Sequence, residues 1–340
     1  MRILLVGDQH FRFELPYSSL FPDGRRGEWE EVKRTIIAES HDCDTVVLLG
    51  DGLNSRHNHS SVLREFVEFL KSFGDKEIHV ASGNHECYSD KTAIDFLVGV
   101  QPNWQIHTRL TNIVKDGVSL AFIPYLTPAL LGVDTREEAI EEIDNFFGHG
   151  MMEPDVCFAH HLIAPRSAPA WSMMDELILP SELMEKTCKK SFFAHIHNEM
   201  KVSDKIQGTG SIFTHSTGEH ERSVWKYNTE TKTTERIPLP VRGIFKADDG
   251  TDISSIPAHS IVKYFVTERG TDLEKIQEGL SRFDASIIVE QYPSERTKIH
   301  LDGTSSSDLD LSIENLLKLY AQEKNVSEKE LLEAFNLIKE

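Results

Sequence analysis

Cysteine, long apolar runs and positive charge are all scarce in this sequence, and each shortage narrows what the chain does. The four cysteines, Cys43, Cys87, Cys157 and Cys188, stand far apart without CxxC spacing. That excludes a disulfide framework or a zinc knuckle and is the usage of a cytosolic chain with reduced thiols. No apolar run approaches the roughly 20 residues of a membrane span, so no membrane association is expected. The opening run Met1 to Gly7 meets Asp8 too soon for a secretory signal, and a cytoplasmic location is expected. Lys and Arg total 36 against 55 Asp and Glu, a formal net charge of −19. This argues against a broad nucleic-acid-binding face, which is normally basic, while leaving room for a local basic strip or for DNA held with a partner's help. An acidic chain also suits a site that concentrates divalent cations.

What is present is a 340-residue chain that is 39% apolar, enough for one large domain with smaller appendages. It also has 16 histidines, whose placement matters more than their number.

Residues 2–6 form an apolar run ending at Gly7-Asp8-Gln9-His10. Residues 28–39 have helical spacing at Trp29, Val32, Ile36 and Ile37. The continuous apolar run 45–49 reads as a strand covered on both faces and ends at Gly50-Asp51. Residues 60–73 are again helical, with Val62, Phe66, Phe69 and Leu70 on one face; the strand-like run 77–82 then leads into Gly83-Asn84-His85-Glu86. This alternation predicts an α/β domain that begins with a largely parallel sheet, whose loops beyond the strand ends converge on one crevice. In the second half, short strands at 118–123, 156–158 and 191–193 lead to Pro124-Tyr125, Ala159-His160-His161 and Ala194-His195-Ile196-His197, with an acidic helix at 136–147. The glycines of 205–216 suit a close approach to the same crevice, and 223–227 with 234–237 read as a closing hairpin.

Pro238-Leu239-Pro240 marks a boundary. Beyond it, a strand (260–267), a helix (272–283) and a strand (285–291) predict a small βαβ unit. A polar linker (303–308) leads to two amphipathic helices, the second opening with the capping box Ser327-Glu328-Lys329-Glu330. The predicted organisation is 1–240 for the main domain, 241–302 for the βαβ cap and 303–340 for linker and helix pair.

Taken singly, each cluster is ordinary. Asp8/His10 and Gly50-Asp51 are turn chemistry, His160-His161 fits a buried polar pair, and His195-x-His197 places two imidazoles on one side of an extended segment. Five strand ends delivering Asp8, His10, Asp51, Asn84, His160, His195 and His197 are another matter. Carboxylate, amide oxygen and imidazole together suit manganese, iron, zinc or magnesium better than a thiolate-selecting metal. The number of ligands suits two ions sharing a carboxylate, so the expectation is a two-metal hydrolase site.

The series GDQH (7–10), GD (50–51), GNHE (83–86), AHH (159–161) and AHIH (194–197) resembles the calcineurin-like metallophosphoesterases. That resemblance implies an α/β (α+β) four-layer fold, a β-sandwich flanked by helices, around a dinuclear centre. Within the superfamily the chain is most similar to SbcD-type DNA double-strand-break-repair nucleases, particularly short bacteriophage recombination nucleases. The closer likeness rests on length, on GTGS at 208–211, on the βαβ cap and on the terminal helix pair. It implies one metal held by Asp8, His10, Asp51 and His197 and a second by Asp51, Asn84, His160 and His195. The ions would be divalent, manganese first and magnesium second. His85 would protonate the leaving oxygen or steady the transition state, with Asn54, Glu86 and His161 supporting from behind. Implied partners are DNA, an SbcC-type coiled-coil ABC ATPase gripped by the C-terminal helices, and a second copy of the chain. The setting would be the host cytoplasm if the protein is phage-encoded.

Three departures stand out. Asn54 occupies the position where Asp or His usually follows the bridging carboxylate, with His57 or His59 as candidates to take over. Ala159 and Ala194 replace common glycines, and Glu86 replaces the nucleases' usual Asp. Gly-Asn-His-Glu is typical of serine/threonine protein phosphatases, but residues 52–56 lack their Val-Asp-Arg-Gly sequence. A protein phosphatase or small nucleotide phosphodiesterase is therefore the competing function, and a metal-free scaffold the third. Arg25, Arg26, Lys189 and Lys190 are candidate phosphate contacts, weighed against ordinary solvated surface.

Overall fold

The computed structural model describes residues 1–88, 91–148, 153–267 and 271–290. The linker and helix pair expected at 303–340 lie outside the described residues.

Two six-stranded sheets form the body. The first contains β1 (Arg2–Val6), β2 (Thr45–Leu48), β3 (Glu77–Ala81) and β4 (Trp104–His107), all parallel. The second contains β5 (Thr111–Lys115), β6 (Val118–Ile123), β7 (Val156–Ala159), β8 (Ser191–Phe193), β9 (Met200–Lys201) and β10 (Ile206–Gly208). The first sheet is completed by β11 (Ser223–Asn228) and β12 (Thr233–Pro238), a hairpin whose first strand runs antiparallel to β1. Spatial orders are β12-β11-β1-β2-β3-β4 and β9-β10-β8-β7-β6-β5.

Strand side chains alternate between faces, and here both faces are apolar. Leu4, Val6, Val46 and Leu48 join one buried cluster with Trp29, Val32 and Ile36 of α1 (Arg26–Glu39) and Val62, Phe66, Phe69 and Leu70 of α2 (Ser60–Lys71). Their alternates Ile3, Leu5, Val47 and Leu49 meet Leu120, Phe122, Val156, Phe158 and Phe192 of the second sheet. Ala121, Ile123, Cys157 and Phe193 face outward onto Ile140, Ile143 and Phe147 of α3 (Arg136–Gly148) and Met184 of α4 (Ser181–Thr187). The continuous apolar runs thus belong to a helix–sheet–sheet–helix stack, the four-layer arrangement expected.

The cap gains an unanticipated strand. β13 (Gly243–Asp248) pairs in parallel with β14 (Ser260–Val266), which pairs in parallel with β15 (Ala285–Glu290), and α5 (Leu273–Leu280) connects the last two. Among the described residues no helix is long and apolar enough to cross a membrane, and all four cysteines are free thiols.

The segment 11–27 also acquires a reading. Phe11 packs among Trp29, Phe66 and Phe69. Arg25 is 1% exposed, pairs with Glu28 through Nε and Nη2, and donates to the Pro16 carbonyl and Thr214 hydroxyl. This corrects its candidacy as a phosphate contact: the guanidinium is consumed inside the fold. Lys189 pairs with Asp155, and Lys190 donates to the Asp204 carbonyl.

Candidate metal centre

The loops that leave β1, β2 and β3 meet those that leave β7 and β8 at one end of the sandwich. Their backbones are held tightly. Gln9 and His10 donate their amides to the Asp51 carbonyl, His195 donates its amide to the Asp8 carboxylate, and Ile212 donates to the Asp8 carbonyl. His10, Asp51 and His195 have φ of 48°, 48° and 84°. Left-handed backbone in non-glycine residues is uncommon and concentrates at functional sites. Glycines supply the clearance these loops need. A Cβ on Gly50, whose φ is +103°, would lie 2.1 Å from His160 Nδ1, and one on Gly83 would lie 2.0 Å from Asp51 Oδ1.

Asp51 sits centrally. Its Oδ1 is 3.5 Å from His160 Nε2 and its Oδ2 is 3.6 Å from His10 Nε2, so one oxygen serves each side. On one side, His10 Nε2 and His197 Nε2 face each other at 3.0 Å. On the other, Asn84 Oδ1 lies 3.1 Å from His160 Nε2 and 3.0 Å from His195 Nδ1. Asp8 Oδ1 is 3.9 Å from His160 Nε2.

Three imidazoles are oriented from behind. His160 Nδ1 donates to the Leu49 carbonyl, His195 Nε2 to Glu176, and His197 Nδ1 to Glu219. Each bond uses one ring proton and leaves the other nitrogen's lone pair aimed at the shared space, the arrangement typical of metal-binding histidine. Glu176 and Glu219 escaped the sequence reading. Neither lies in a periodic element or a motif, so no local signal marked them.

The electrostatics carry the same message. Burial raises the pKa of Asp8, with neighbouring Asp51 adding to it and the histidines opposing. Burial would also raise Asp51, but His160 and His10 override it and hold that carboxyl below the usual range. Burial opposes charge on His160, yet Asp51 and Asp8 push it up to about 9. For His197 the Glu219 hydrogen bond and Asp8 outweigh burial and raise the pKa. Without a cation, the carboxylates stay ionised only if imidazoles take up protons. Moreover, His10 Nδ1 is buried without a partner. Converging lone pairs of two carboxylates, an amide oxygen and four imidazoles fit divalent cations, and both Asp8/Asp51/His160 and His10/Asp51/His85 offer ligand atoms within 4.8 Å of one another.

His85 stands at the edge of this cluster with its side chain 41% exposed; Nδ1 donates to the Asn54 carbonyl at 2.8 Å, and Nε2 is 3.9 Å from Asp51 Oδ2. Asn54 thus orients His85 through its backbone. His59 caps α2 by accepting from the Ser61 amide, and His57 is exposed. Glu86 is fully buried and accepts from the Leu53 and Gly83 amides, tying two of the loops together; burial, reinforced by Asp51, pushes its pKa up to about 8. His161 turns away from the cluster. Its Nε2 accepts from the Leu126 amide and its Nδ1 bonds to the Leu177 carbonyl, and its ring stacks on Tyr125. It braces the loop floor and touches none of the converging ligand atoms. Unanticipated neighbours are His215 and Arg12, which lie against His10.

Residues 1–199 match the sequence pattern of the Calcineurin-like phosphoesterase family. The chain is 23% identical over 310 residues to exonuclease subunit 1 of Enterobacteria phage T4, covering 85% of this chain and 84% of that one. Among solved structures it is similar to an archaeal phosphodiesterase (15% identity, 70% of this chain and 100% of that one, TM-score 0.36). It is also similar to the purple acid phosphatase PPD1 of yellow lupin (14% identity, 69% and 52%, TM-score 0.43).

Proposed function

The chain belongs to the calcineurin-like phosphoesterase family, and from that premise we propose that it is a two-metal phosphodiesterase that cuts DNA. The observation that carries the reading is Asp51, with one oxygen turned toward each of two ligand groups. On the division that the family resemblance implies, Asp8, His10, Asp51 and His197 would hold one cation and Asp51, Asn84, His160 and His195 the other. Manganese is the proposed ion and magnesium the alternative. When bound, two such ions activate water and neutralise charge on the phosphoryl group. The protein's own contribution is placement. Glu176 and Glu219 hold His195 and His197, Asp51 spans the centre, and the close-packed loops exclude bulk water from its floor. His85, with Nδ1 committed to the Asn54 carbonyl, keeps Nε2 at the rim of the cluster, 3.9 Å from Asp51 Oδ2, where its protonated form would deliver a proton to the leaving oxygen.

The choice of DNA is supported by the likeness to a phage exonuclease subunit. A net charge of −19 gives DNA little general attraction, so a coiled-coil ATPase of the SbcC type, gripped by residues 303–340, and a second copy of the chain are proposed as partners. The test is hydrolysis of linear double-stranded DNA against p-nitrophenyl phosphate with added manganese. DNA cleavage that drops about 10²- to 10⁴-fold in His85→Ala, with bound manganese unchanged, is the expected result. Monoester turnover without DNA cleavage would replace the nuclease reading with a phosphatase.

A further inference from the structure

Three histidines, His10, His197 and His215, each offer a ligand-type atom within 4.8 Å of the others, yet their chemistry differs. The His215 ring stands 4.8 Å from the His10 ring and 4.8 Å from the His197 ring. Its backbone amide is anchored to Glu219 Oε2 at 2.6 Å, the same carboxylate whose other oxygen holds His197. Arg12 Nη2 lies 2.9 Å from His215 Nδ1, while Arg12 Nε donates to the His10 carbonyl at 3.2 Å. A guanidinium only donates, so Nδ1 of His215 must accept. A neutral imidazole that accepts at Nδ1 carries its proton on Nε2. That Nε2 is buried and has no partner. An N–H has no lone pair for a metal, and an unpartnered buried donor is costly, so it calls for an acceptor that arrives with the ligand.

We propose that His215 is not a metal ligand but a fixed N–H donor to a phosphoryl oxygen of the bound substrate, with Arg12 setting its tautomer and placing positive charge behind it. This deepens the phosphodiesterase reading and rests on it. His10 and His197 face the metals, His215 faces the anion, and Glu219 ties the two roles together.

The wild-type tautomer is read directly by long-range ¹H–¹⁵N correlation on ¹⁵N-histidine-labelled protein, with His215→Gln identifying the signal. A bare Nδ1 and a protonated Nε2 are expected, and the reverse would overturn the proposal. Manganese titration calorimetry and orthophosphate inhibition of bis(p-nitrophenyl) phosphate hydrolysis then separate the roles. His215→Ala should keep the wild-type manganese equivalents and affinities within about twofold. Its kcat/KM and its orthophosphate affinity should fall about 10- to 100-fold, the range for losing one hydrogen bond to a charged group. His215→Gln, which restores an N–H donor, should recover part of both. Loss of a manganese equivalent in His215→Ala, or unchanged turnover and orthophosphate inhibition, would overturn the proposal. DNA is absent from these assays, so failure of the wild type to cut DNA would sink the nuclease reading and leave the His215 result standing separately.

Discussion

Glu176 and Glu219 reach the proposed metal centre through the hydrogen bonds they accept from His195 and His197, which makes their contribution separable from direct ligation. Removing a carboxylate that orients a metal-binding histidine typically costs about 10- to 100-fold in metal affinity. Glu176→Ala is therefore expected to weaken manganese binding by that factor without lowering the number of ions bound, and calorimetric titration reads both. An unchanged affinity would mean that His195 is positioned by its backbone alone. Gly83 offers a sterically simpler case. A methyl group there would lie 2.0 Å from Asp51 Oδ1, so Gly83→Ala must displace the central carboxylate or its loop. Loss of manganese binding at both positions is the expected outcome, because Asp51 serves both. Retained stoichiometry would show that the loop yields freely.

At the scale of elements, the N-terminus of α1 is fastened by a buried Arg25–Glu28 ion pair that a partly exposed arginine extends. Glu28 accepts from Arg25 and also from Arg242, which reaches across to Asp284 at the start of β15. Breaking a buried pair leaves an uncompensated charge, so Arg25→Ala should destabilise the fold by about 3–5 kcal/mol in urea titrations. A loss below 1 kcal/mol would mean that water replaces the guanidinium. Such fastening also explains what the sequence withheld. Runs such as Thr45–Leu48 and Val118–Ile123 announced buried strands because both of their faces are apolar, and α2 announced itself through Val62, Phe66, Phe69 and Leu70. Gly7 to His10, Gly83 to Glu86 and His195 to His197 advertised the site because polar ligand types follow directly on strands. Arg25 looked like a surface cation, since nothing local reveals that Thr214 and Phe213 close over it. β13 was missed because Gly243–Asp248 is short and partly polar and becomes a strand only by pairing with β14. His215 and the two glutamates lie in irregular segments, where no periodicity signals a neighbour distant in sequence.

At the scale of the whole molecule, a pH dependence of stability is expected from a histidine pair that lies away from the candidate metal centre. His79 of β3 and His107 of β4 bond to each other at 3.0 Å and stack with Phe122 between the sheets. Burial, with Lys115 adding, holds His79 down at about 3, and burial, with His79 adding, does the same to His107. The unfolded chain protonates both below about pH 6.5, whereas the folded chain protonates neither until about pH 3. Their contribution to stability is therefore complete above pH 6.5 and is lost as pH falls from there, by about 1.4 kcal/mol per pH unit for each histidine. Urea midpoints at pH 7.5 and 5.0, in the presence of chelator, should fall steeply for the wild type and less for His79→Leu/His107→Leu. Equal slopes in the two proteins would assign the acid sensitivity elsewhere.

The pairing of β1 with β11 also dictates an order in time. As the chain leaves the ribosome, β1, α1, β2, α2 and β3 can assemble early, because each contact among them is short in sequence. One side of β1 nevertheless stays open until Ser223–Asn228 has been made. The nascent protein thus carries an unpaired strand edge through most of its synthesis, together with Asp8, Asp51 and Asn84 of the proposed metal centre before His160, His195 and His197 exist. Translation pauses before Ser223 would prolong that exposure, while a chain arrested after Pro238 holds every strand of the first sheet.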